Sequence, residues 1–187
     1  MGLQFHHLIT PAVGESRSGD AVLIRQERGR DLFAVFDVLG HGPEAAKVAD
    51  LALLHLSKAP LEHGVLTLVE GLHLCLRGTR GAAALLFVAH EGRVEGCGVG
   101  NVMLRSFGSA LPIVLSPGVL GQRLPRLRLF QGPLLAKTRL VAFSDGISGK
   151  FTEQEMLGLS TRSACEHLLL KHRKILDDAT ALVIDVA

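Results

Sequence analysis

Residues 33–42 read FAVFDVLGHG. Four β-prone apolar residues run into Asp37, and a glycine-rich turn follows before Pro43 opens a helical pattern. A single acid at a strand end usually only makes a turn, because its carboxylate can cap nearby backbone. Here the arrangement recurs. Residues 140–147, LVAFSDGI, carry a strand into Asp145 and Gly146, and residues 177–186, DDATALVIDV, begin a strand directly after Asp177 and Asp178. Short, stiff strands can bring such ends to one edge of a sheet. There the carboxylates repel and raise one another's pKa unless a cation neutralises them. Oxygen ligands from Asp and backbone carbonyls favour Mg2+ or Mn2+, whereas zinc prefers His and Cys. The residues alone therefore point to a hard-cation site.

Working outward, alternation predicts strands over residues 4–9, 21–26 and 32–36, the last two as a hairpin. After Asp37 the period becomes helical, with an apolar face through Val48, Leu51, Ala52 and Leu56. A second helix is predicted over residues 61–77, where Leu61, Val65, Leu68, Val69, Leu72 and Leu76 share one face. Alternation returns over residues 82–107 and predicts an antiparallel meander. Its Gly96, Gly98 and Gly100 have the spacing of a nucleotide loop, but no helix-forming run or Gly-Lys-Ser/Thr follows, which excludes that reading. Thr152 and Glu155 form a capping box with Phe151 and Met156 as its hydrophobic staple, and a longer helix is predicted over residues 161–175. Strands, two helices, more strands, a helix and a final strand do not alternate as in a parallel α/β protein. Two antiparallel sheets covered by helices are expected.

The chain has 187 residues, enough for one domain over residues 1–187. With 48 % apolar residues, 20 % charged residues and a net charge of +2, neither disorder nor a nucleic-acid partner is indicated. Residues 1–10, MGLQFHHLIT, lack a basic segment ahead of an apolar signal core, so a cytoplasmic monomer that engages no membrane is expected. Cys75, Cys97 and Cys165 read as reduced thiols, and the pairs His73/Cys75 and Cys165/His167 lack zinc-site spacing. His6 and His7 are neighbours on one strand, pointing to opposite faces, so they are not joint ligands. Arg123, Arg126 and Arg128 read as a solvated edge strand protected by charge, with a docking surface for a phosphoprotein as the alternative.

Together the segments resemble the signature motifs of the metal-dependent protein phosphatase (PPM) family, in its compact SpoIIE-like branch. SGDAVLI (18–24) is similar to the first acidic motif, DVLGHG (37–42) to the D-G-x-G-H-G loop, GVGNVMLRSF (98–107) to the V-G-N segment, SDGI (144–147) to the S/T-D-G motif, and DDATALVI (177–184) to the final D-D-x-T strand. With no sensor or transmembrane segment ahead of them, the likeness is to the small stand-alone members that act in the stressosome. The resemblance implies an α+β fold, a four-layer α-β-β-α sandwich of two antiparallel sheets flanked by antiparallel helices. It also implies hydrolysis of phosphoserine or phosphothreonine on phosphorylated STAS-domain and scaffold proteins by a metal-activated water.

By position, Asp37 would bridge two Mn2+ or Mg2+ ions and the carbonyl of Val38 would bind one of them. Asp145 and Asp177 would bind the other, with Asp20 in support. Arg17 and Gly40 would meet the substrate phosphate, and His41, poised near neutral pH, would protonate the leaving oxygen. Val38 departs from the glycine usual there, a residue that frees the backbone angles of a loop. Asn101 stands where the eukaryotic branch has an acid implicated in a third metal, so a third site should be weak or absent. These departures keep open a catalytically silent module that binds phosphorylated partners. A serine hydrolase built on Ser144 or Ser148 lacks the G-x-S-x-G elbow.

Overall fold

The computed structural model describes residues 2–124 and 126–187. Its strands are β1 (Leu3–Thr10), β2 (Asp20–Glu27), β3 (Arg30–Val38), β4 (Ala82–His90), β5 (Arg93–Val99), β6 (Met103–Phe107), β7 (Leu115–Ser116), β8 (Leu129–Pro133), β9 (Arg139–Phe143) and β10 (Ala179–Val186). Its helices are α1 (Gly42–Lys58), α2 (Gly64–Cys75), α3 (Glu153–Met156) and α4 (Thr161–Lys171). One sheet has the order β1-β10-β9-β6, and the other β2-β3-β4-β5-β7 with β8 also paired to β5. Every pairing is antiparallel except β5 with β7.

Three apolar layers hold four layers of structure together. Along β3, Leu32, Ala34, Phe36 and Val38 face α1 and α2, while Phe33 and Val35 face the other sheet. That period of two makes β3 buried on both sides. Between the sheets Phe33 stacks on Phe87 at 5.3 Å, within a core that includes Leu140, Leu182 and Ile184. On the far side, Val141, Phe143, Ala181 and Val183 pack against Ala164, Cys165 and Leu168 of α4. The molecule is thus an α-β-β-α sandwich, as the sequence predicts.

The details follow local chemistry. Arg28 and Gly29 turn β2 into β3 with φ of 51° and 76°, the positive angles that match strand twist in a two-residue hairpin. On α1 the buried stripe is alanine-rich, with Ala45, Ala46, Ala49, Ala52 and Leu56. The expected Leu51 is exposed instead. All six predicted apolar positions of the second helix are buried, although a short 3-10 turn (Leu61–His63) precedes α2. The expected meander breaks after β5, because β6 leaves for the opposite sheet to pair with β9. Gly100 makes that crossing at φ 92° against Ala83, where a side chain would collide. Gly96 and Gly98 lie within β5, pressed against Phe130 and Leu115, which gives them a packing role rather than a phosphate-binding one.

Other expectations are refined. Arg126 and Arg128 are exposed but precede β8 rather than lying on a strand. The helix predicted to run through residue 175 stops at Lys171. Cys75, Cys97 and Cys165 are unbridged. Among the described residues no helix is long and apolar enough to cross a membrane.

Candidate functional site

Antiparallel pairing explains how distant acids meet. Asp20 opens β2 and lies directly across from Asp37 near the end of β3. Asp145 follows β9 and Asp177 precedes β10, and these strands are antiparallel neighbours with Phe143 opposite Ala181. Each sheet therefore delivers a pair of carboxylates to the same end of the sandwich. Burial pushes the carboxyl of Asp37 up to about 8, with repulsion from Asp20, Asp145 and Asp177 added to it. Burial also pushes Asp20 up to about 7 against the lowering effect of its Ser144 hydrogen bond. Asp177 is raised by burial and by Asp145. Among the described residues no Lys, Arg or His forms an ion pair with these acids.

A set of fixed polar contacts surrounds the cluster. The amide of Asn101, on the crossing between sheets, donates to Oδ2 of Asp145 at 2.7 Å and, near Asp37, acts to lower the pKa of that carboxyl. Ser144 is fully buried, and its hydroxyl donates to Oδ2 of Asp20 at 2.6 Å while accepting the Thr180 N–H at 3.0 Å. It is a tie between the sheets, and its hydroxyl is sealed from solvent, which removes the support for a Ser144 hydrolase. Asp178, the second acid of the pair, accepts from the N–H of Ala12 at 2.7 Å and of Gly19 at 2.6 Å. Its carboxylate is therefore committed to backbone, whereas Asp177 faces Asp145. Gly146 is required by contact: a Cβ there would lie 1.9 Å from the carbonyl oxygen of Asp178.

The loop after Asp37 is held on both sides. The Leu39 N–H donates to Gly81 O at 3.2 Å, and Arg80 Nη1 donates to Leu39 O at 2.9 Å. Gly40 turns at φ 79°, and a Cβ there would meet the Arg80 guanidinium at 2.6 Å. Val38 is not among the residues with positive φ, so this backbone does not need the glycine usual at its position. His41 stands at the N-cap position of α1, half exposed and making no side-chain cap, with Nδ1 2.7 Å from Oε1 of Glu15. Arg17 points elsewhere, in a two-pronged ion pair with Asp50 of α1 at 2.9 and 3.0 Å. Glu15, Arg80 and Asp178 are the neighbours that sequence reasoning missed. Glu15 and Arg80 sit in loops without periodicity, and Asp178, just ahead of β10, carries no pattern of its own that marks it as a backbone acceptor.

The raised acids define a pH dependence. In the metal-free protein Asp20 and Asp37 hold protons far more tightly than in the unfolded chain, where the ordinary value is 3.8. Their contribution to stability is complete below about pH 4 and is lost as pH rises through about 7 and 8. At about 1.36 kcal/mol per unit the loss is on the order of several kcal/mol. The urea midpoint in chelator should therefore fall between pH 5 and pH 8, and saturating Mn2+ should remove that fall. A midpoint that rises with pH in chelator would contradict it.

No family model matches the sequence, and no curated protein matches it. Solved structures do. A chain solved in a study of the bacterial stressosome, a modular system adapted to control secondary messenger signalling, is 27 % identical with a TM-score of 0.91, over 98 % of this chain and all of that one. The PPM Ser-Thr phosphatase MsPP from Mycobacterium smegmatis, in complex with cacodylate, is 15 % identical with a TM-score of 0.76 over 98 % of each chain. The fold is that of the PPM Ser/Thr phosphatases. Within that fold, the individual protein that the motif order resembles is RsbX. The magnesium complex of RsbX superposes with a TM-score of 0.79 at 19 % identity, over 99 % of this chain and 96 % of that one.

Proposed function

We propose that the chain is a metal-dependent phosphatase that removes phosphate from serine or threonine of stressosome-type STAS-domain or scaffold proteins. One observation carries this reading: Asp20, Asp37, Asp145 and Asp177 converge from two sheets with no cationic side chain paired to them among the described residues. Such a cluster suits hard divalent ions, which take oxygen ligands. Asp37 would bridge Mn2+ or Mg2+ ions, with the Val38 carbonyl on one and Asp145 and Asp177 on the other, and Asp20 in direct or water-mediated support. Bound there, the ions supply an acidified water and neutralise charge on the phosphoryl oxygens.

The protein's own groups do the rest. Glu15 holds His41 through Nδ1, which leaves Nε2 to give a proton to the departing serine or threonine oxygen. The turn at Gly40 and the adjoining Arg80 guanidinium border the site and would receive the phosphate. Arg17 would first have to leave Asp50 to take part. If His41 is the acid, His41→Gln should remove the alkaline limb of the kcat profile and lower kcat by about 100-fold, within the usual range for general acids. An unchanged profile would make His41 a loop residue only. The likeness to RsbX and to the stressosome chain supports the partner class.

A silent phosphoprotein-binding module is the second reading, favoured by the Asn101 hydrogen bond that occupies Oδ2 of Asp145. Single-turnover phosphate release from a phosphorylated STAS-domain protein at saturating Mn2+ decides between them. Release supports the phosphatase, and binding without release supports the module.

A further inference from the structure

Away from the aspartates, Glu155, His167 and His172 gather a carboxylate oxygen and two imidazole nitrogens within 4.8 Å of one another. Oε2 of Glu155 lies 2.8 Å from Nε2 of His172 and 3.2 Å from Nε2 of His167. The carboxylate is not free to turn, because Oε1 accepts the Thr152 N–H at 2.7 Å and the Thr152 hydroxyl at 3.0 Å. The His172 ring is fixed as well, packed edge-on against Phe151 at 5.8 Å between centroids. In an unbroken helix, residues five apart lie about 140° apart around the axis. His172 comes round to His167 because α4 has ended and its backbone has left helical geometry at φ −122° and ψ 0°. The three side chains are 27 %, 14 % and 32 % exposed for His167, His172 and Glu155, so the cluster is partly desolvated yet reachable.

Two imidazole nitrogens and one carboxylate oxygen, with the carboxylate and the His172 ring oriented by neighbours, are the donor set of a zinc site with an open fourth position. Mg2+ and Mn2+ prefer all-oxygen surroundings, so this cluster selects a different ion from the aspartates. We propose that Glu155, His167 and His172 form a second metal site, specific for Zn2+ or a similar transition-metal ion. Its position gives it a structural consequence. The carbonyl of His172 accepts the Ser148 N–H at 2.7 Å, and Lys174 N–H donates to Gly146 O at 2.8 Å, so an ion here braces the turn that carries Asp145. The site is independent of the phosphatase reading.

The test titrates metal-free Asp37→Ala protein with Zn2+ against a chromophoric chelator in the presence of excess Mg2+. That background removes the bridging acid of the aspartate cluster, so tight Zn2+ binding reports on the triad whether or not the chain is a phosphatase. One equivalent should bind, and His167→Gln or His172→Gln should weaken it by more than the roughly 10–100-fold that loss of an outer-sphere partner costs. Co2+ in place of Zn2+ should give the visible absorption of a low-coordinate, His-ligated ion, lost in the same variants, with circular dichroism showing that they remain folded. The histidine variants are chosen because Glu155 also caps α3. No Zn2+ uptake, or uptake and a Co2+ spectrum unchanged in both folded variants, would overturn the proposal.

Discussion

Asp37→Ala is expected to lower metal-dependent phosphoester hydrolysis by about 1,000-fold or more, about 4 kcal/mol of transition-state stabilisation. The size follows from the assigned role. Asp37 is the acid that repulsion from Asp20, Asp145 and Asp177 identifies as the centre of the cluster, so its loss weakens both proposed ions together. The same substitution should make the metal-free protein more stable near pH 8. It removes one buried carboxyl, held up at about 8, from among like charges. Reduced turnover with raised chelator stability separates a functional acid from a structural one. Equal activity in variant and wild type would remove the mechanism.

The opposite pattern is expected at Asp178, which looks like its neighbour Asp177 in the sequence. Its two oxygens hold the buried N–H groups of Ala12 and Gly19, and Gly19 leads directly into Asp20. Asp178→Ala would leave both amides without a partner, at about 1–3 kcal/mol each. A loss of about 3–5 kcal/mol in unfolding free energy by urea titration is therefore expected, whatever the metal content. A loss below about 1 kcal/mol would show that water or a shifted loop replaces these bonds.

The contrast between these adjacent acids marks what was legible in the sequence. Periodicity revealed the strands around Phe33–Phe36 and Leu140–Phe143 because each is short and buried on one or both faces, and it revealed the second helix because six apolar residues recur on one side. The acids at the strand ends were legible for the same reason: a strand's end is where its apolar run stops. Which acid of residues 177 and 178 points into the cluster was not legible from periodicity, since side chains alternate about the chain and a shift of one residue exchanges them, and the choice of Asp177 came from the motif resemblance alone. The crossing of β6 to the other sheet also escaped, because alternation reports a buried face without saying which sheet supplies it.

Loop contacts were the least visible. Glu15 reaches His41 across 26 positions, and Arg80 reaches the carbonyl of Leu39 across 41. No local pattern encodes either. His167 and His172 were hidden by the expectation of an unbroken helix to residue 175, whose geometry would have held them apart. The Ser160 hydroxyl that accepts the Ser163 N–H begins α4, while no comparable signal in the sequence announced its end.

The central claim is that the four converging aspartates hold divalent ions that hydrolyse a phosphomonoester. It is tested most directly by the rate of phosphate release from a phosphothreonine peptide and from a small aryl phosphate, with Mn2+, with Mg2+ and with chelator. Turnover is expected with saturating Mn2+ or Mg2+, and none in chelator. Turnover that persists in chelator, or no turnover of either substrate when metal binding to the aspartates has been measured directly, would contradict it.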